Sequence, residues 1–426
     1  MKRCNRETRI NTDKIEFNSL PFLTSHIEGI AGVIKTYEDD FAVEEIPLCK
    51  PDGQGNHIYA MLEKKGITTM DALADIARAL HITRKQIGFA GHKDARAVAR
   101  QWISIENIEP KKLKSLDIPG VKILQFDRHS EGLRSGMLAG NRFIVRLRNF
   151  NQSIEQAVET AETIMAELIS RGVPNYFGPQ RFGLRNDSHL LGEAVAKGKV
   201  DQFIDIFLGG SEKQDSPAIS QARKFYEKGD YKKAHDLWPY VYADQRRALK
   251  TLIEKKGSKK HAYHVVDKYL KGFFVSAYQS HLFNQVAVLR MPDIDKVLAG
   301  DIAYDHTSRE FFRVESSSSE NLRCQNFQIS PTGPLFGSQM MKLNSPAADI
   351  ENRVIESAGL TDRDFQQMSE YSAKGTRRPL RFKPRSTAVA AGRDKNGDCI
   401  ELRFELDPGC YATCLIREIT KADIGG

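Results

Sequence analysis

The chain has 426 residues, 40% of them hydrophobic, and 63 lysines and arginines against 55 carboxylates give it a formal net charge of +8. That length predicts two or three domains, and a charged fraction of 28% with an ordinary apolar content excludes wholesale disorder. No apolar run approaches the roughly 20 residues of a membrane span, and the basic surplus favours a polyanionic partner (RNA, DNA or an anionic surface) without choosing among them.

At the N-terminus, Lys2, Arg3 and Arg6 are followed by no apolar stretch, so a signal peptide is not predicted and a cytoplasmic protein is. The six cysteines, Cys4, Cys49, Cys324, Cys399, Cys410 and Cys414, include no CxxC pair and no histidine at zinc-ligand spacing; they read as free thiols, and no metal site is predicted.

Residues 29–47 read as a strand, a turn and a second strand, with Phe41, Val43 and Glu45 on one side of the second. A helix follows at about 69–80, capped by Thr68 or Thr69, with Leu73, Ile76, Ala77 and Leu80 as its apolar stripe. Gly88 and Gly91 mark a loop, and a strand runs from Gln101 to Ile108. Between them lies a short basic segment containing Asp94. Residues 141–150 alternate, with Phe143, Val145 and Leu147 facing one way and Arg142, Ile144, Arg146 and Arg148 the other, which predicts a sheet with a basic face. Ser153 and Gln156 form a capping box for a helix at 154–171, and Gly172 and Pro174 stop it.

From about 200 to 340, helical patterns and lysine clusters dominate, with an exposed loop predicted at the serine run 316–319. Near the C-terminus, 386–394 and 398–406 flank Asn396-Gly397, a hairpin signal. Strand-rich ends around a helical middle predict an α+β domain interrupted by an inserted one.

Three segments carry candidate chemistry. In Gly91-His92-Lys93-Asp94-Ala95-Arg96, one carboxylate stands among cations that would keep it ionised, fit for a nucleophile or base; on these residues alone the simpler reading is the cap of a short helix. The loop 172–183 holds an amide and three aromatics, able to read and stack on an unstacked base, or to fill core. Residues 377–385 interleave five cations with Phe382, as a phosphate-contacting strip or a solvated linker. Phosphate-loop, GxSxG, HExxH and deaminase zinc motifs are missing. Asp39 and Asp40 adjoin on a strand and point to opposite faces, so they are no metal pair.

Seven strings in order carry a resemblance: DDFAVEE (39–45), GFAGHKDARAVARQ (88–101), LRSGMLAGNRFIVRLRNF (133–150), GVPNYFGPQRFG (172–183), FVSAYQSHLFNQ (274–285), GTRRPL (375–380) and PGCYATCLIRE (408–418). Together they resemble the TruD family of tRNA pseudouridine synthases, and the long middle looks like that of archaeal and eukaryotic members. The resemblance implies a catalytic domain on a mixed, largely antiparallel sheet (1–199 and 385–426) interrupted by an inserted α/β TRUD domain (200–384). It implies isomerisation of uridine to pseudouridine in tRNA, at position 13 in the typical member, with no cofactor, and a basic insertion gripping the tRNA backbone. No membrane association and no obligate protein partner are expected. Carried over residue by residue, Asp94 falls on the catalytic aspartate, Phe41, Phe177 and Tyr411 on substrate-binding aromatics, and Asn175 on a binding amide. Tyr411 adds a hydroxyl where some relatives have Phe. Lys35 and Lys93 are expected to hold phosphate or balance Asp94, and His92 receives no role.

Overall fold

The computed structural model describes residues 17–212, 214–344 and 347–422; Cys4 and the charged N-terminal segment lie outside them. The chain forms two compact units. One comprises Phe22–Val173 and residues 382–422. The other comprises Pro174–Arg381 with residues 17–21.

The first unit is built on an eight-stranded sheet. Its strands are β1 (Phe41–Pro47), β2 (His57–Lys65), β3 (Ile87–Phe89), β4 (Val98–Glu106), β5 (Val121–His129), β6 (Leu138–Leu147), β7 (Arg385–Asp394) and β8 (Gly397–Leu406). Their spatial order is β7-β8-β6-β1-β4-β2-β5, with β3 also paired to β4. Only β1 and β4 run parallel; the remaining pairs are antiparallel. This is the mixed, largely antiparallel sheet of an α+β fold. Alternation decides the faces: Phe143, Val145 and Leu147 of β6 and Ile400, Leu402, Phe404 and Leu406 of β8 are buried.

Helices cover the sheet where the apolar stripes predict. Thr68 caps Thr69–Ala79 by accepting from Asp71 N, and Leu73, Ile76 and Ala77 join the core of Ile58, Leu62, Ile103 and Ile105. Ser153 caps Ile154–Arg171 through Gln156 N, and Gly172, at φ 90°, ends it.

Local departures have local causes. The strand expected near residue 30 shrinks to a single bridge, Val33 to Arg148, because Ala31 and Lys35 take positive φ (54° and 57°) and break the extended run. Gly88 lies in β3 rather than a loop; a Cβ there would meet the Leu133 carbonyl oxygen at 2.2 Å. The basic face of β6 is neutralised. Arg142 meets Glu405 at 2.8 Å and Arg146 meets Glu401 at 3.0 Å across the strand, while Arg148 turns inward onto Asp40 at 2.7 Å.

The second unit is mainly helical, with a four-stranded antiparallel sheet ordered Thr376–Pro379, Ile329–Leu335, Ile302–Asp305, Phe311–Arg313. Its core gathers Phe203, Phe207, Trp238, Phe274 and Tyr278. Compactness sets its start at Pro174, not at the 200 expected from composition: Leu191, Ala194 and Val195 of the Ser188–Ala196 helix belong to that same core. The serine run opens the Ser317–Gln325 helix instead of forming a loop. Two of the five cations of the 377–385 segment turn inward, while Lys383 and Arg385 are exposed. Arg377 is buried, bound to Glu351 and, at 2.7 Å, to Thr332 Oγ1, and the fully buried Arg381 guanidinium lies 4.1 Å from the Phe327 ring centroid.

Candidate active site

Asp94 sits on the loop between β3 and β4, and no helix follows it. Its carboxylate therefore caps nothing. Oδ1 accepts from the Arg96 amide at 3.0 Å, two residues on, and Oδ2 accepts from Lys35 Nζ. The side chain is 41% exposed, so a ligand can reach it.

A buried frame fixes this loop. Thr69 Oγ1 accepts from Lys93 N at 2.9 Å and donates to Gln101 Oε1 at 2.9 Å, and Gln101 Nε2 donates to the Gly91 carbonyl at 3.2 Å. Lys64, buried on β2, donates from Nζ to the Asp94 carbonyl at 2.6 Å and to the Ile67 carbonyl at 2.8 Å. Lys93 points away from Asp94 and forms a buried ion pair with Glu45 of β1 at 3.0 Å. Of the two lysines expected to hold phosphate or balance Asp94, Lys35 pairs with Asp94 and Lys93 with Glu45.

The electrostatics follow. Partial burial alone would raise the Asp94 pKa. The hydrogen bond and charge of Lys35, the Arg96 amide and the charge of Lys64 outweigh it and hold the carboxyl below the usual carboxylate range. Burial lowers Lys64 to about 8, against the opposing pull of Asp94. Burial also raises Glu45, opposed by Lys93.

Phe41 is bound to this cluster through Lys35, whose ammonium lies 4.8 Å from its ring centroid. The ring meets Phe143 edge-on at 6.0 Å. Tyr411 is half-buried at the N-terminus of the Ala412–Thr420 helix of the same unit.

Asn175 and Phe177 belong to the other unit. The buried Asn175 amide braces its own surroundings: Nδ2 donates to the Pro379 carbonyl at 2.8 Å, and Oδ1 accepts from Arg378. The Phe177 main chain is clamped by Asn284 at both its amide (2.8 Å) and its carbonyl (3.0 Å). Its ring packs edge-on against Phe283 at 5.4 Å, with Arg378 4.4 Å from its centroid.

Lys64, Thr69 and Gln101 were not among the expected site residues. Lys64 did leave a signal: it stands two residues from Leu62 and four from Ala60, on a core-facing position of a strand where a charge requires a partner.

Among the described residues no group of three or more His, Cys, Asp or Glu is placed to hold a metal, and no helix is long and apolar enough to cross a membrane. Cys49, Cys324 and Cys399 are in no disulfide.

The sequence model of tRNA pseudouridine synthase D (TruD) matches residues 18–419. The chain belongs to the TruD family. It is 38% identical over 403 residues to the tRNA pseudouridine synthase D of Geobacter metallireducens, covering 94% of this chain and 97% of that one. It is 33% identical to the tRNA pseudouridine synthase D of Thermus thermophilus, covering 95% and 92%. A crystal structure assigned as a TruD protein of Methanosarcina mazei superposes with a TM-score of 0.80 at 26% identity, over 94% of this chain and 96% of that one. The expected likeness to archaeal and eukaryotic members is not supported: these Geobacter and Thermus relatives are bacterial and match nearly end to end, so the long middle is no mark of the other lineages.

Proposed function

We propose that this protein is a tRNA pseudouridine synthase in which Asp94 is the catalytic carboxylate. The observation that carries the reading is an accessible carboxylate, held ionised by Lys35 and the Arg96 amide, on a loop pinned by Lys64, Thr69 and Gln101 beside Phe41. Isomerisation breaks the bond from C1′ to N1 of uracil, turns the base and joins C1′ to C5. C5 loses a proton and N1 regains one. No electrons are transferred, so the reaction itself calls for no redox cofactor.

The ionised Asp94 either attacks as a nucleophile or removes the C2′ proton, and both roles require it deprotonated. Lifting the uracil from its stack costs a few kcal/mol. An aromatic platform returns roughly 1–3 kcal/mol per stacked base, the role assigned to Phe41 and Tyr411. Lys35 shields Asp94 until substrate arrives and then stands close enough to meet a phosphate. Asn175 and Phe177 are assigned RNA contacts by the second unit. The target is the uridine at position 13 of tRNA, in the cytoplasm.

The test is Asp94→Asn assayed by tritium release from tRNA carrying 5-labelled uridine. Turnover is expected to vanish while tRNA affinity stays within about threefold, because one neutralised acid removes little contact surface. Wild-type turnover in the variant would overturn the assignment. Salt-sensitive tRNA binding without tritium release by the wild type would identify a non-catalytic RNA-binding protein instead.

A further inference from the structure

The Lys268–Arg290 helix of the second unit presents Tyr269, Phe273, Ser276, Ser280 and Asn284 along one face, at spacings of four, three, four and four. At the C-terminal half of this face the loop of Phe177 is docked. Asn284 clamps Phe177, and Arg181 donates to Ser276 Oγ and, at 3.0 Å, to Ser280 Oγ. The Arg181 guanidinium thereby stands 6.0 Å from the Phe177 centroid and 5.4 Å from that of Phe273. The N-terminal half of the face is open, with Phe273 42% and Tyr269 90% exposed. The row thus runs Phe177, Arg181, Phe273, Tyr269.

The chain leading into this helix is basic. Residues 244–271 hold nine lysines and arginines against three carboxylates, and Lys255, Lys256, Lys260 and Lys268 are exposed. A solvent-facing tyrosine and phenylalanine aligned with a guanidinium offer planar faces beside a cation, an arrangement that fits bases whose phosphates follow them. We propose that this helix face is a stacking platform for unpaired nucleotides of the RNA, with Phe273 and Tyr269 receiving adjacent bases. The occupant is single-stranded RNA rather than duplex, because paired bases hide the faces that such rings contact. The proposal rests on tRNA as substrate, but the readout that decides it is the binding constant.

The experiment measures Kd by fluorescence anisotropy, and KM and kcat by tritium release, for Phe273→Ala, Tyr269→Ala and Phe273→Trp. Probes are an unmodified tRNA transcript and the same transcript with abasic nucleotides in the loop bearing the target uridine. Each alanine variant is expected to weaken binding of the intact transcript by about 5- to 150-fold, the range set by one stacked base. KM should rise with it, kcat at saturation should hold, and Phe273→Trp should bind as wild type or tighter. On the abasic transcript wild type and alanine variants should converge. Unchanged Kd in both alanine variants, or an equal loss on both transcripts, would overturn the proposal. Loss of intact-transcript binding in the variants, in a protein whose wild type releases no tritium, would leave the platform standing and remove the synthase reading alone.

Discussion

At the scale of single residues, Lys64 is the group whose chemistry is most exposed to test. Its ammonium ties the Asp94 peptide to the end of β2, and burial lowers its pKa to about 8. Asp94 itself lies below the usual carboxylate range. The kcat/KM of the wild type should therefore stay level as pH falls toward the ordinary carboxylate pKa and decline as pH rises through about 8, where Lys64 loses its charge and its hydrogen bonds to the Ile67 and Asp94 carbonyls weaken. Lys64→Arg, protonated across that range, should lose the alkaline decline. Lys64→Met should lower kcat/KM by about 10²-fold, the scale of a misplaced catalytic group, with tRNA affinity nearly unchanged. An identical alkaline limb in wild type and Lys64→Arg would remove Lys64 from this role. Asp94 illustrates what sequence alone leaves open. The segment 91–96 reads as a reactive carboxylate or as a helix cap; the cap reading fails because no helix follows, and the lysine that pairs with Asp94 lies 59 residues away.

At the scale of elements, the sheet strands holding the site were legible wherever one face is buried: β1, β6 and β8 show period-two alternation that burial follows. Polar connections across strands left no such trace. The Arg142 and Arg146 side chains read as a basic surface because their partners Glu405 and Glu401 lie more than 250 residues away. Arg377 and Arg381 read as phosphate ligands because nothing local announces Glu351 or the ring of Phe327. The Glu45–Lys93 pair couples β1 to the Asp94 loop in the same hidden way, with side-chain exposures of 1% and 5%. Removing one member strands the other charge. Lys93→Met should cost about 3–5 kcal/mol of stability, read as a lowered denaturation midpoint, whereas Lys93→Met combined with Glu45→Leu should recover most of it. Equal stability of the single variant and wild type would mean that this pair is solvated.

At the scale of the whole molecule, acid should act on the second unit first. The buried His189 and His281 rings stack at 4.4 Å. Burial lowers His189 to about 3 and His281 to about 4. Both folded values lie below the unfolded value near 6.5, so the unfolded chain binds more protons between them. Their contribution is complete above pH 6.5 and is lost as pH falls toward 3–4, at up to about 1.4 kcal/mol per pH unit for each ring. The slope of unfolding free energy against pH should flatten in that window in His189→Gln/His281→Gln, and an unchanged slope would show that the rings titrate normally.

Strand β6 is synthesised long before β8, its neighbour in the sheet, because Pro174–Arg381 is translated in between. Throughout that interval the flank of β6 that β8 will occupy offers bare amides and carbonyls, a template for a strand of any nearby chain. Ribosome-released fragments ending at residue 384 should therefore self-associate in sedimentation, and a peptide spanning residues 385–406 added in trans should suppress it.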